Sequence, residues 1–193
     1  ERIEVIDGRS GEVEREVFLD EAGDIAFGPS GELFAVSDGR VVRVDFETGK
    51  HEPITDDVQQ AGPIAVDDEG RIYLYDGAAD RRVVRVFDRR GEYLRSIGTP
   101  GGHHAGPWDP TRLDAVSDIA VDSRDQLWVV EYKYWPKRTA VFKTDGTYVR
   151  EHLGNTSYGG GGVLDPWDKT RVFYGPLEFN LDWETGETRL KGM

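Results

Sequence analysis

Residues 62–98 read GPIAVDDEGRIYLYDGAADRRVVRVFDRRGEYLRSIG. Short apolar runs alternate here with polar turns. Ile64-Ala65-Val66 precedes Asp67-Asp68-Glu69-Gly70, Ile72 to Tyr75 follows, Val83 to Phe87 comes next, and Arg89-Arg90-Gly91-Glu92 leads into Tyr93 to Ile97. Runs rich in β-branched and aromatic residues, separated by turns carrying Gly and Asp, predict consecutive antiparallel strands. No segment holds a helical apolar period over ten residues, so helices are expected to be absent or brief.

The same order recurs on both sides. Asp24-Ile25-Ala26-Phe27 precedes Glu32 to Val36, and Asp118-Ile119-Ala120-Val121 precedes Gln126 to Val130. Ile25, Ile64 and Ile119 correspond, as do Leu33, Ile72 and Leu127, with spacings of 39 and 55 residues in both sets. Third strands are expected at Val41 to Phe46, Val83 to Phe87 and Thr139 to Phe142. Gly turns and fourth strands at Glu52 to Thr55, Tyr93 to Ile97 and Tyr148 to His152 complete the units. Four short strands per roughly 40 residues, repeated, predict the blades of a β-propeller. One such sheet exposes two apolar faces that only neighbouring blades can bury. Ala26, Ala65 and Ala120 sit mid-strand on the innermost strands, where crowding is greatest.

The order of residues 62–98 resembles the NHL repeat, as do 117–154 and, more loosely, 23–55. Residues 161–190 resemble a diverged further unit, and Arg2 to Val17 the last two strands of an earlier one. The resemblance implies an all-β chain of about four to five blade units: 1–20 (partial), 21–60, 61–98, 99–154 and 155–193. Relatives with this repeat are expected to close with about six blades. On that expectation the chain is an incomplete ring from a larger propeller; a small five-blade ring is the alternative. Lys137-Arg138, Leu164-Asp165-Pro166, Asp168 to Arg171 and Leu181-Asp182-Trp183 resemble stretches of large secreted bacterial NHL-repeat proteins. That likeness implies an exported protein, extracellular or periplasmic.

The net charge of −13 repels phosphate backbones and argues against nucleic acid as a partner. No apolar run approaches the roughly 20 residues of a membrane-spanning helix. The chain has no cysteine, which excludes disulfides and thiolate metal sites.

In a propeller the blade-to-blade connections and the loops between second and third strands share one face. The longer segments of this sequence all belong to it: 76–82, 99–117, 131–138 and 154–162. The 55-residue spacing exceeds the 39-residue one by 16 residues, and the 99–117 connection holds them. It carries His103, His104 and Trp108; the 131–138 loop carries Tyr132, Tyr134, Trp135, Lys137 and Arg138. Aromatic rings beside polar groups predict a platform for a glycan, peptide or protein ligand. The alternative is that Trp108 and Trp135 cover the channel mouth. The face with short turns reads as polar.

Asp24 and Asp118 hold equivalent places at the start of first strands, where carboxylates could bind Ca²⁺ or cap local backbone amides. Adjacent histidines on an extended loop point apart and rarely share a metal. No cofactor is required by any motif, and Gly159 to Gly162 lacks the Lys-Ser/Thr and helix of a phosphate loop. The sequence therefore points to a non-enzymatic binding or scaffolding module. A metal-dependent propeller enzyme, lyase- or lactonase-like, and a purely structural spacer are the alternatives.

Overall fold

The computed structural model describes residues 1–55, 58–132, 137–154 and 162–193. A hairpin of β1 (Arg2–Ile6) and β2 (Val13–Phe18) opens the chain. Four four-stranded sheets follow, each in simple up-and-down order. The first blade is β3 (Ile25–Phe27), β4 (Leu33–Ser37), β5 (Arg40–Val44) and β6 (His51–Pro53). The second is β7 (Ala61–Val66), β8 (Ile72–Asp76), β9 (Val83–Phe87) and β10 (Tyr93–Ile97). The third is β11 (Val116–Val121), β12 (Gln126–Glu131), β13 (Arg138–Lys143) and β14 (Tyr148–Leu153). The fourth is β15 (Val163–Leu164), β16 (Arg171–Tyr174), β17 (Leu177–Leu181) and β18 (Thr188–Gly192). All pairings between these strands are antiparallel, and β7 packs against both β3 and β11. These sheets are the blades of a β-propeller, as the sequence predicts.

Period-two alternation sends each strand's residues to two different neighbours. In the second blade, Ile64, Ile72, Leu74 and Phe87 face the first blade and meet Phe34, Val36 and Val41. Tyr73, Tyr75, Val84 and Val86 face the other way and pack on Ile119, Leu127, Val129 and Phe142 of the third blade. Val17 and Leu19 close the outer side of the first blade over Leu33, Ala35 and Val42. Fully buried Tyr73, Phe87 and Phe142 each contribute on the order of 1.5–3 kcal/mol by leaving water.

The small first-strand residues have a specific cause. Ala26 pairs directly with Phe34, Ala65 with Tyr73 and Ala120 with Trp128. A larger side chain would compete with the aromatic ring for the same space. The ring's polar end then meets the turn. Asp67 Oδ2 accepts the Tyr73 hydroxyl at 2.9 Å while its Oδ1 accepts the amides of Glu69 and Arg71. Asp122 does the same for the Trp128 indole N–H and the amides of Arg124 and Gln126. In the first blade Gly28 replaces the aspartate and Phe34 has no donor. There the Glu32 carboxylate fills the space beside Gly28 and accepts the Ser30 amide.

Such turns hold many aspartates below the usual carboxylate range. The Trp128 N–H is the chief cause at Asp122, the Thr48 hydroxyl at Asp45, and turn amides at Asp88, Asp145, Asp165 and Asp182. A carboxylate with a lowered folded pKa stabilises fully above its unfolded value of about 3.9 and loses that contribution as pH falls through the folded value. The melting temperature is therefore expected to stay level from pH 7 to about 5 and to fall below about pH 4. Asp122→Asn should flatten part of that fall in a pH series of thermal melts; an unchanged slope in the variant would refute the assignment.

Candidate functional site

The long connection between the second and third blades is closed at its base. Thr99 N–H donates to the Thr111 carbonyl at 2.9 Å, the two threonine hydroxyls lie 2.6 Å apart, and Asp109 Oδ1 accepts the Thr111 amide and hydroxyl. Leu113 anchors the loop in the core between these blades. The tip reaches the far edge of the fourth blade. Gly106 N–H donates to the Met193 carbonyl at 2.6 Å, Trp108 N–H to the Lys191 carbonyl at 2.9 Å, and Pro107 bridges Gly192. The insertion thus pairs through an antiparallel bridge with the C-terminal end of β18 and covers that part of its edge.

Beneath the tip lies a buried polar cluster. The Glu131 carboxylate, at the end of β12, is 1% exposed. Its Oε1 accepts the Asp114 amide at 2.6 Å and lies 2.9 Å from His103 Nε2; its Oε2 lies 2.8 Å from the Arg138 guanidinium. Arg138, at the start of β13, also donates to the carbonyls of Arg112 and Pro110. Its Nε lies 2.7 Å from Glu151 Oε2, a charge contact outside hydrogen-bond alignment. The Trp108 ring covers this guanidinium at 5.2 Å, stacks on His103 at 4.7 Å and donates its N–H to Glu151 at 2.9 Å.

The residues singled out from the sequence therefore separate. His103, Trp108 and Arg138 come together, and their polar groups bind one another. His104 is exposed beside them, and Tyr132 projects from the end of β12 with 63% of its surface in solvent. Lys137 lines a cleft. Tyr134 and Trp135 lie outside the described residues. Asp24 Oδ2 accepts the Ile64 amide across the blade boundary at 3.1 Å, and Asp118 Oδ1 accepts the Ile119 amide at 2.8 Å. Among the described residues no group of three or more His, Cys, Asp or Glu side chains is placed to hold a metal.

The cleft itself was not legible in the sequence. Apolar clusters fill the first two blade-to-blade boundaries, and an arginine staples each: Arg43 to the Arg89 carbonyl and Arg95 to the Thr144 carbonyl. At the third boundary Arg150 lies over Trp128 at 5.2 Å instead. No buried apolar cluster spans the third and fourth blades among the described residues. A cavity of about 430 Å³ lies at the long-loop end of the third blade, with Tyr132, Lys137 and Thr139 on its wall. His152, Leu153 and Gly154 are shared with a second cavity of about 700 Å³, whose far wall is Phe179 and Leu190 of the fourth blade.

No family model and no curated protein matches this chain. Solved structures do. A chain of the nidogen/laminin complex aligns over 98% of this chain and 85% of its own length at 16% identity, TM-score 0.60. Virginiamycin B lyase from Staphylococcus aureus aligns over 100% and 59% at 14% identity, TM-score 0.55. TolB from Acinetobacter baumannii aligns over 77% and 36% at 17% identity, TM-score 0.54. The chain thus spans little more than half of that lyase and about a third of that TolB. Identities this low speak for architecture alone: what these proteins share with this chain is the β-propeller fold.

Proposed function

We propose that this chain is a non-enzymatic binding or scaffolding module of NHL-repeat type, exported by a bacterium. Its ligand, a glycan, peptide or protein segment, lies in the cleft between the third and fourth blades and on the long-loop face. The observation that carries this reading is the unfilled blade boundary. A boundary that elsewhere is packed with side chains here holds a cavity of about 700 Å³, which shares His152, Leu153 and Gly154 with one of about 430 Å³ beside Tyr132 on the third blade. Binding sites are commonly concave, with apolar walls and a few polar groups that fix orientation. Leu153, Phe179 and Leu190 supply the apolar part; Lys137, Thr139 and His152 supply the polar part. A segment of a partner protein fits these mixed, open-ended walls best. The buried cluster under Trp108 keeps the loop face rigid, which lowers the ordering cost of binding.

Panning a displayed random-peptide library against the purified chain, with a glycan array in parallel, tests the proposal. The expected result is enrichment of a defined sequence class by the wild type. Leu153→Trp, which fills the cleft from a half-exposed position, is expected to weaken capture at least about tenfold without loss of fold. Absence of any ligand, or capture unaffected by both Leu153→Trp and Tyr132→Ala, would refute it.

A further inference from the structure

The opposite end of the fourth blade carries a second feature. The β15–β16 turn is longer than its counterparts. Its closing bond runs from Asp165 N–H to the Arg171 carbonyl, where the second and third blades close from Asp67 to Arg71 and from Asp122 to Gln126. The added residues include Trp167, which is 92% exposed. On the neighbouring β17–β18 turn stands Trp183, 63% exposed, at the position held by Arg89 in the second blade and Thr144 in the third. The end that reads as polar in the sequence thus displays two exposed tryptophans, on turns joined by a hydrogen bond. Single exposed apolar residues are ordinary, but two large exposed rings on adjoining turns of one blade call for a partner.

Both turns are held in place, and so is the Trp183 ring. Asp165 Oδ1 accepts the amides of Trp167 and Asp168, and its Oδ2 binds Arg171. Asp168 Oδ1 accepts the Thr170 amide and hydroxyl. The Trp183 indole N–H donates to the Lys169 carbonyl at 2.8 Å, which ties one turn to the other. That bond uses the one donor of the Trp183 ring, so the ring offers its apolar face to a ligand. Asp168 and Glu184, both exposed, follow the two tryptophans in sequence.

We propose that Trp167 and Trp183 form a stacking platform for a neutral oligosaccharide, separate from the cleft at the other end. Pyranose rings present flat C–H faces that stack on aromatic rings, and their hydroxyls donate to carboxylates at the rim. Nucleobases also stack, but the net charge of −13 opposes their phosphates.

The test is calorimetric titration of the whole chain with a panel of neutral hexasaccharides built from glucose, xylose, mannose or N-acetylglucosamine. Binding of at least one is expected, with Trp167→Ala and Trp183→Ala each weakening it about five- to tenfold. Melting temperature should be unchanged in Trp167→Ala, whose ring makes no bond among the described residues, and should fall slightly in Trp183→Ala, which loses the bond to the Lys169 carbonyl. Leu153→Trp in the cleft should leave this binding intact, which separates this outcome from that of the functional proposal above. Failure of every sugar to bind, or binding by both tryptophan variants as tight as by the wild type, overturns the inference. Concentration-dependent self-association by light scattering that Trp167→Ala abolishes would assign the patch to a second copy of the chain and overturn it too.

Discussion

Arg138→Met is expected to lower the free energy of unfolding by about 3–5 kcal/mol, the cost of stranding a buried charge. The Arg138 side chain is fully shielded from water and Glu131 nearly so. Methionine retains much of the apolar volume but leaves the Glu131 carboxylate without its counter-ion and the carbonyls of Pro110 and Arg112 without their donor. Trp108 and Glu151 lose the group between them. The damage should extend beyond stability. The tip of the insertion rests on this cluster and pairs with β18, so its release should expose the β18 edge. Urea unfolding measures the first effect; limited proteolysis within 101–109 measures the second. A loss below about 1 kcal/mol would mean that the insertion is held by its backbone bonds alone. The paired change Arg138→Met with Glu131→Leu should recover part of the loss, since removing both partners of a buried pair leaves no stranded charge.

Gly91→Ala is expected to cost about 3 kcal/mol or more, or to prevent folding to soluble protein. Gly91 has φ +89°, a region L-residues adopt only under strain. The stronger reason is space: a Cβ built there would lie 1.5 Å from the Ile54 carbonyl oxygen and 2.5 Å from its carbon. Backbone stands in the way, so no rotamer relieves the clash, and the connection leaving the first blade would have to move. Gly49 sits in the corresponding turn of the first blade with φ +68° and open space around it. Gly49→Ala should therefore cost only the dihedral strain, about 1–2 kcal/mol. Thermal melts of the two variants side by side check the contrast; equal losses would show that the contact at Ile54 yields.

These two glycines mark the limit of the sequence. Both follow from the turn requirement for a positive φ, and both are legible as turn glycines. Which one abuts another blade is set by how the sheets stack. The strand pattern was legible because each strand's alternation reports its own two faces. Val83–Phe87 and Tyr93–Ile97 form the strands expected of them to the residue, while β6 runs one residue earlier at its start and β13 gains a residue at each end. The Asp-aromatic pairing of Asp67 with Tyr73 and Asp122 with Trp128 repeats at a fixed six-residue spacing and could have been read from the repeats alone.

The site was less legible, for a physical reason. A tryptophan or arginine on a long loop has the same letter whether it faces a ligand or a buried carboxylate. Trp108 and Arg138 stand out in the sequence, but only the approach of the insertion to β12, β13 and β14 joins them to Glu131 and Glu151. Nor does any residue announce the cleft, since an unfilled boundary is a property of two sheets and belongs to no single strand. Trp167 and Trp183 carried a signal, tryptophan in turns otherwise without aromatic residues, that the repeat itself obscures. By itself, then, the sequence determined the blades, because alternation and turn chemistry are local. Tertiary structure alone decided which loop residues are bound inward, where two blades stand apart and which rings meet solvent, because each depends on what a neighbouring sheet brings to the same place.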